Sequence, residues 1–236
     1  MQSLAARRQT RGMREIVLDT ETTGLDPVAG HRIIEIACVE LMNHVATGRV
    51  FHALVDPERE VTAEAFEVHG ISTESLRGKP RFMEIAGELL DFIAGDPLVI
   101  HNAEFDLGFV NAELARCELP PLDLPCVDTV VLARKRFPGS PASLDALCRR
   151  FAIDLSARRK HGARLDAELL AAVYLELIGG RQPGLEFLGD GGGRADGGRG
   201  ERQARPPRPH APSAAELERH LAFLAKLRAP LWMAED

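Results

Sequence analysis

Four acidic residues stand inside apolar runs in three segments far apart along the chain. They are Asp19 and Glu21 in IVLDTETTG, Asp106 in HNAEFDLGFV and Asp166 in HGARLDAELLA. An unpaired charge is costly to bury in an apolar core. A fold that buries these segments must therefore bring the carboxylates together around something positive. Oxygen-only ligands of this kind suit Mg²⁺ or Mn²⁺ rather than zinc, and the chemistry they suggest is metal-assisted hydrolysis.

The hydrophobic pattern between these segments predicts a mixed α/β layer fold around a central sheet. Residues 14–19, 32–41 and 48–55 read as strands, and the short HVATG stretch joins the last two as a hairpin of an antiparallel meander. Residues 62–72 read as short helical turns broken at Gly70. Residues 81–95 carry apolar side chains at helical spacing and close on a Gly stop. PLVIHN (97–102) is a short buried strand, followed by a helix that uses Phe105, Phe109 and Leu114. CVDTVVLARKRF begins strand-like and becomes helical, SLDALCRRF opens with a Ser N-cap, and residues 165–180 form a strongly apolar helix ended by Gly179 and Gly180.

Composition narrows the class. With 236 residues, one or two domains are expected, and a body of about 165 residues buries enough surface to need no disulfide or zinc staple. Cys38, Cys117, Cys126 and Cys148 form no CxxC pair and read as buried reduced thiols of a cytoplasmic protein. No apolar run approaches the ~18 residues of a membrane span. The basic N-terminus lacks the apolar core of a secretory signal; residues 1–13 read as a disordered extension, with Met13 an alternative start. The net charge of −6 is unusual for a protein that handles nucleic acid. Two divalent cations would offset four of those charges where a phosphate must sit, and the acidic balance implies that a partner delivers the substrate.

After Gly180 the composition changes. Residues 189–212, rich in Gly, Arg and Pro, read as a linker, more simply solubilising than nucleic-acid-binding. SAAE (213–216) is a capping box. Leu217, Leu221, Leu224 and Ala225 then form one apolar stripe, followed by a tail holding Trp232, the only tryptophan. A single helix behind a tether is marginal alone, so stripe and Trp232 read as a docking face for another protein.

Asp19 and Glu21, two apart at a strand end, project to the same side. Thr22, Thr23 and Gly24 offer hydroxyls and backbone N–H groups in a tight turn suited to a terminal nucleotide. Asp106 falls in the first turn of its helix, where a helix-dipole role competes with metal binding. Phe105 is either core or a wedge against a base. His161, just before the helix that carries Asp166, suits a base near neutral pH. Two cations roughly 3.5–4 Å apart would activate a water and stabilise the leaving 3′ oxygen of a phosphodiester. Neither a GxSxG nor a P-loop is present.

DTETTG, HNAEFDLGF and HGARLDAELLAAVY together resemble the three exonuclease motifs of the DEDD superfamily, in the version with a histidine before the last aspartate. The resemblance covers about residues 14–180. EVHGIS and FPGSPASLDALCRRFAID are similar, more narrowly, to the proofreading subunits of bacterial replicative DNA polymerases. The resemblance implies a ribonuclease-H-like fold with a five-stranded mixed sheet, metal ligation by Asp19, Glu21, Asp106 and Asp166, and His161 as general base. It implies substrate contacts from Asp19, Glu21, Thr22, Thr23, Val68, His69, Gly70, His101, Asn102, Phe105 and Asp166. Gln182, Leu185 and Phe187 resemble a sliding-clamp-binding peptide in residues 181–188. The tail over 213–236 resembles the segment that holds the polymerase catalytic (alpha) subunit, and a small accessory subunit is a further possible partner. The expected activity is 3′→5′ removal of mispaired nucleotides from single-stranded DNA ends. The alternatives are an RNA 3′-end trimmer of the same superfamily and a non-catalytic scaffold between polymerase and clamp.

Overall fold

The computed structural model of the protein describes residues 12–158, 160–179 and 212–226. The chain divides into two units, Met1–Glu186 and Phe187–Asp236. The first is built on a five-stranded mixed sheet in the order β3-β2-β1-β4-β5. β1 (Arg14–Thr22), β2 (Ile33–Met42) and β3 (Val45–Leu54) form the expected antiparallel meander. β4 (Leu98–Ile100) pairs in parallel with the other edge of β1, and β5 (Cys126–Asp128) pairs in parallel with β4.

The hairpin turns earlier than its glycine suggests. Asn43 and His44 make the reversal, with φ of 51° and 66°, and Val45, Ala46 and Thr47 already belong to β3. Two consecutive left-handed residues give a reversal that matches the twist of the flanking strands, and Asn tolerates that conformation well.

Two helical layers cover the sheet. α3 (Phe82–Ile93) and α4 (Ala103–Arg116) pack Phe82, Leu89, Ile93, Phe109 and Leu114 against Ile16, Leu18 and Ile36. α5 (Thr129–Arg136), α6 (Leu144–Arg150) and α7 (Ala163–Leu177) pack Ala133, Leu147, Leu170 and Val173 against Val17, Val39 and Val99. Strand alternation then fixes where the acids point: Asp19 and Glu21 continue the Val17 face toward α7, while Thr20 continues the Ile16–Leu18 face toward α4.

Between β3 and α3 lie two short helices, α1 (Ala63–His69) and α2 (Thr73–Leu76). Gly70 closes α1 in the left-handed conformation, φ 74°, with its amide on the Phe66 carbonyl. The Gly stop of α3 is displaced by one residue, since Ala94 takes the left-handed cap and Gly95 follows. α7 begins at Ala163, before the predicted start, because the Glu35 carboxylate of β2 accepts the Ala163 amide at 3.0 Å. All four cysteines are free; Cys38 and Cys148 are buried, Cys117 and Cys126 only partly.

In the second unit the described residues hold one helix, α8 (Ala214–Leu224), with its capping box formed by Ser213 and Glu216. On α8, Leu217 and Leu221 are exposed and Leu224 is buried. The N-terminal extension to residue 11, the clamp-like peptide with Gln182, Leu185 and Phe187, nearly all of the linker, and Trp232 lie outside the described residues. No helix among the described residues is long and apolar enough to cross a membrane.

Candidate active site

β1, β4 and β5 run parallel, and a cavity of about 390 Å³ opens beside their carboxyl ends. Ligand sites of open α/β sheets lie at this edge. Asp19, Glu21, His101, Asn102, Phe105, Asp106, His161 and Asp166 all line it. Residues remote in sequence thus meet in one place, from β1, α4, α7 and the loops that lead into the two helices.

β1 supplies Asp19 and Glu21, and its pairing with β2 slips between Glu21 and Thr22. Such a bulge re-aims side chains where a ladder ends. From β4 the chain turns into α4 at Asn102, held left-handed at φ 69°. The Asp128 carboxylate, at the end of β5, accepts the amides of Asn102 (3.3 Å) and Ala103 (3.1 Å) as well as that of Val130 (2.8 Å). Asp128 therefore caps α4 and α5 together, and Asp106 is not needed as a cap. Instead Asp106 accepts a hydrogen bond from the Thr20 hydroxyl at 2.7 Å. On α7, Asp166 is 3% exposed, against 8% for Glu21 and 3% for Asp106.

These carboxylates do not share one electrostatic state. Burial, followed by the charges of Asp106, Glu21 and Asp166, pushes Asp19 well above the usual carboxylate range. Burial and the neighbouring Asp166 and Glu35 charges push Glu21 up to about 8. Burial raises Asp106 to about 7 despite its bonds to Thr20. Asp166 differs: burial opposes its ionisation, yet hydrogen bonds from Arg158 and His161, and their charge, hold it below the usual range. Three acids that resist ionisation together could be relieved by a bound cation. The donor atoms of Glu21, His161 and Asp166 already lie within 4.8 Å of one another, a spacing that fits a single ion.

The other predicted residues are placed variously. His161 is half exposed, its Nδ1 3.3 Å from Asp166 Oδ2, and its amide donates to the Val68 carbonyl. That bond sets Val68–Gly70 beside the His161 loop. A side chain at Gly70 would strike Lys160. His69 is buried; its Nδ1 accepts the Ile71 amide, and Nε2 faces the Thr22 backbone without completing a hydrogen bond. Burial lowers the pKa of both His69 and His101, and His101 Nδ1 lies 2.8 Å from the Thr129 hydroxyl. The Thr22 and Thr23 hydroxyls are turned inward rather than toward the cavity. Thr22 donates to the Gly24 carbonyl, and Thr23 Oγ1 accepts the Arg32 amide and contacts His31. Phe105 is half-buried, packed on Phe109 with ring centroids 5.0 Å apart.

Sequence reasoning missed Arg158, Asp145, Ser143 and Thr20, which also line the cavity. Arg158 is the most consequential, because its fork covers both oxygens of Asp166. Its proximity to His161 in SARRKHG was the available signal.

The model of the exonuclease family (RNase_T) matches residues 16–174. The chain belongs to the exonuclease family. It is 53% identical over 180 residues to a Rickettsia felis protein named DNA polymerase III subunit epsilon, covering 75% of this chain and 79% of that one. Over 186 residues it is 50% identical to the Escherichia coli protein of the same name, with 75% and 76% covered. Among solved structures it is similar to exonuclease X in complex with 5′ overhanging duplex DNA, at 25% identity and a TM-score of 0.56, over 70% of this chain and 90% of that one. It shares its fold with the nuclease domain of 3′hExo, a DEDDh family member bound to rAMP, at TM-score 0.61 over 72% and 93% of the two chains. The sheet and its flanking helices are thus the ribonuclease-H-like exonuclease fold. As an exonuclease of this family the protein degrades from the 3′ end.

Proposed function

We propose that this exonuclease proofreads DNA synthesis as a subunit of a bacterial replicative polymerase. It would hydrolyse the terminal phosphodiester of a single-stranded 3′ end and release nucleoside monophosphates. The observation that carries the site assignment is the convergence of Asp19, Glu21, Asp106, Asp166 and His161 on one cavity. The likeness to epsilon subunits supports the polymerase context.

Asp19, Glu21, Asp106 and Asp166 would hold two divalent cations, Mg²⁺ or Mn²⁺. Their all-oxygen character and the raised pKa of three of them fit such ions. When bound, the cations supply Lewis-acid activation of a water and charge stabilisation for the leaving 3′ oxygen. The protein's own part is proton transfer and positioning. His161, at the cavity mouth beside Asp166, takes the proton of the attacking water and passes it to solvent through its exposed face. Phe105 and the Val68–Gly70 segment border the terminal base and sugar, and His101 and Asn102 flank the phosphate. A mispaired end frays more readily, so it enters preferentially.

Beyond the nuclease unit, Gln182, Leu185 and Phe187 would dock on a sliding clamp. α8, with Leu217, Leu221 and Leu224, together with Trp232 in the tail that follows, would hold the polymerase catalytic subunit. Deleting residues 213–236 should leave nuclease activity intact and abolish co-purification with the polymerase; retained co-purification would place that contact elsewhere.

The decisive assay digests 3′- and 5′-labelled DNA and RNA strands of one sequence, with and without Mg²⁺. Metal-dependent shortening of DNA from the 3′ end is expected. Preferential RNA digestion would reassign the substrate, and no shortening of either would leave only a scaffold.

A further inference from the structure

Arg158 lies between α6 and α7 with its side chain only 8% exposed. All three of its guanidinium nitrogens are engaged. Nε donates to Asp166 Oδ1 at 2.5 Å and Nη2 to Asp166 Oδ2 at 2.7 Å. Nη1 pairs with Asp145 on the cavity wall, and Nη2 lies 3.0 Å from His161 Nδ1. A planar fork matched to a carboxylate is among the strongest protein ion pairs. Here the fork spans the two oxygens that Asp166 would offer to a cation, and among the described residues it is the only Arg or Lys side chain lining the cavity.

From this geometry we infer that Arg158 is a positioning residue that stands in for a divalent cation in the metal-free enzyme and must release Asp166 when metal enters. The inference rests on the metal-binding reading above. A dication and a guanidinium on the same two oxygens repel each other, so they compete. Asp145, 39% exposed at the rim and also paired with Arg149 at 3.7 Å, gives the displaced guanidinium a place to stay. Arg158 thereby keeps Asp166 and His161 adjacent before metal arrives, and the cost is weaker binding of the ion that Asp166 shares.

The test uses the full chain without nucleic acid and measures Mn²⁺ binding by electron paramagnetic resonance titration. Arg158→Gln removes both the charge and the fork and should tighten Mn²⁺ binding by about tenfold, the scale of one charge-assisted hydrogen bond. Arg158→Lys keeps the charge without the fork and should fall between Gln and the wild type. Melting temperatures with and without Mn²⁺ supply the second readout, because the Gln variant should lose stability in the metal-free state and little in the loaded state. Unchanged or weaker Mn²⁺ binding in Arg158→Gln would overturn the inference, as would an equal stability loss in both states, which marks a merely structural arginine. Absence of Mn²⁺ binding in the wild type would instead remove the metal reading itself, and this inference with it.

Discussion

On the sheet side of the cavity, Asp19, Glu21 and Asp106 have burial and the charge of nearby carboxylates working against ionisation. On the loop side Asp166 is as deeply buried as Asp106, yet Arg158 and His161 keep it ionised. The same functional group is shifted in opposite directions within one cavity, and the difference is whether the protein supplies a positive partner. The α7 wall is organised without metal, whereas on the proposed reading the β1 and α4 wall would be completed by it.

The sharpest way to break this comparison is to remove a ligand from either wall. Asp19→Ala or Asp166→Ala should lower nuclease activity by more than about 100-fold, since even outer-shell partners of metal ligands cost 10–100-fold. Single-turnover assays and circular dichroism together would check that activity falls while the fold persists. Wild-type activity in either variant would remove that residue from the site.

A second prediction uses pH. Glu21, near 8, and Asp106, near 7, hold protons more tightly in the folded metal-free protein than in the unfolded chain, where carboxyls titrate near 4. Raised carboxyl values favour folding fully below the unfolded pKa, and that contribution is lost as pH rises through the folded one. The metal-free melting temperature should therefore fall from pH 6 to pH 9, and saturating Mg²⁺ should flatten the profile. A metal-free profile already flat over that range would contradict the assigned states of the sheet-side wall.

Smaller effects separate support from chemistry. Thr20→Val removes the hydroxyl that orients Asp106, and should lower activity about tenfold, at the low end of outer-shell effects. On the α7 side, Glu35→Ala removes the acceptor of the Ala163 amide and the partner of His52, 2.7 Å away. A lost helix-start acceptor costs about 0.5–2 kcal/mol, so thermal melts should show a loss of about 1–8 °C. Stability unaffected by Glu35→Ala would mean that α7 starts at Ala163 for another reason.

Much of this arrangement was legible in the chain. The two-residue spacing of Asp19 and Glu21 on an apolar strand dictates a common face, and the helix patterns after PLVIHN and HGARL carry Asp106 and Asp166 to the same sheet edge. What was not legible depends on tertiary pairing. Asp128 caps α4 only because β4 and β5 run parallel, which no local pattern encodes. Glu35 reads as an ordinary polar residue in RIIEIACVEL, and its contact with α7 appears only once that helix crosses the sheet. Arg158 sits in a loop without periodicity, and its one signal, nearness to His161, is shared by Arg159. The hairpin was misplaced because Gly48 drew the turn, while Asn43 and His44 tolerate the left-handed conformation well enough to take it.

The most direct measurement is a crystal soaked in Mn²⁺, with anomalous scattering used to locate the ions. Two peaks among Asp19, Glu21, Asp106 and Asp166 are predicted, with the Arg158 guanidinium withdrawn toward Asp145. Side chains splayed apart with no anomalous density between them would contradict the account.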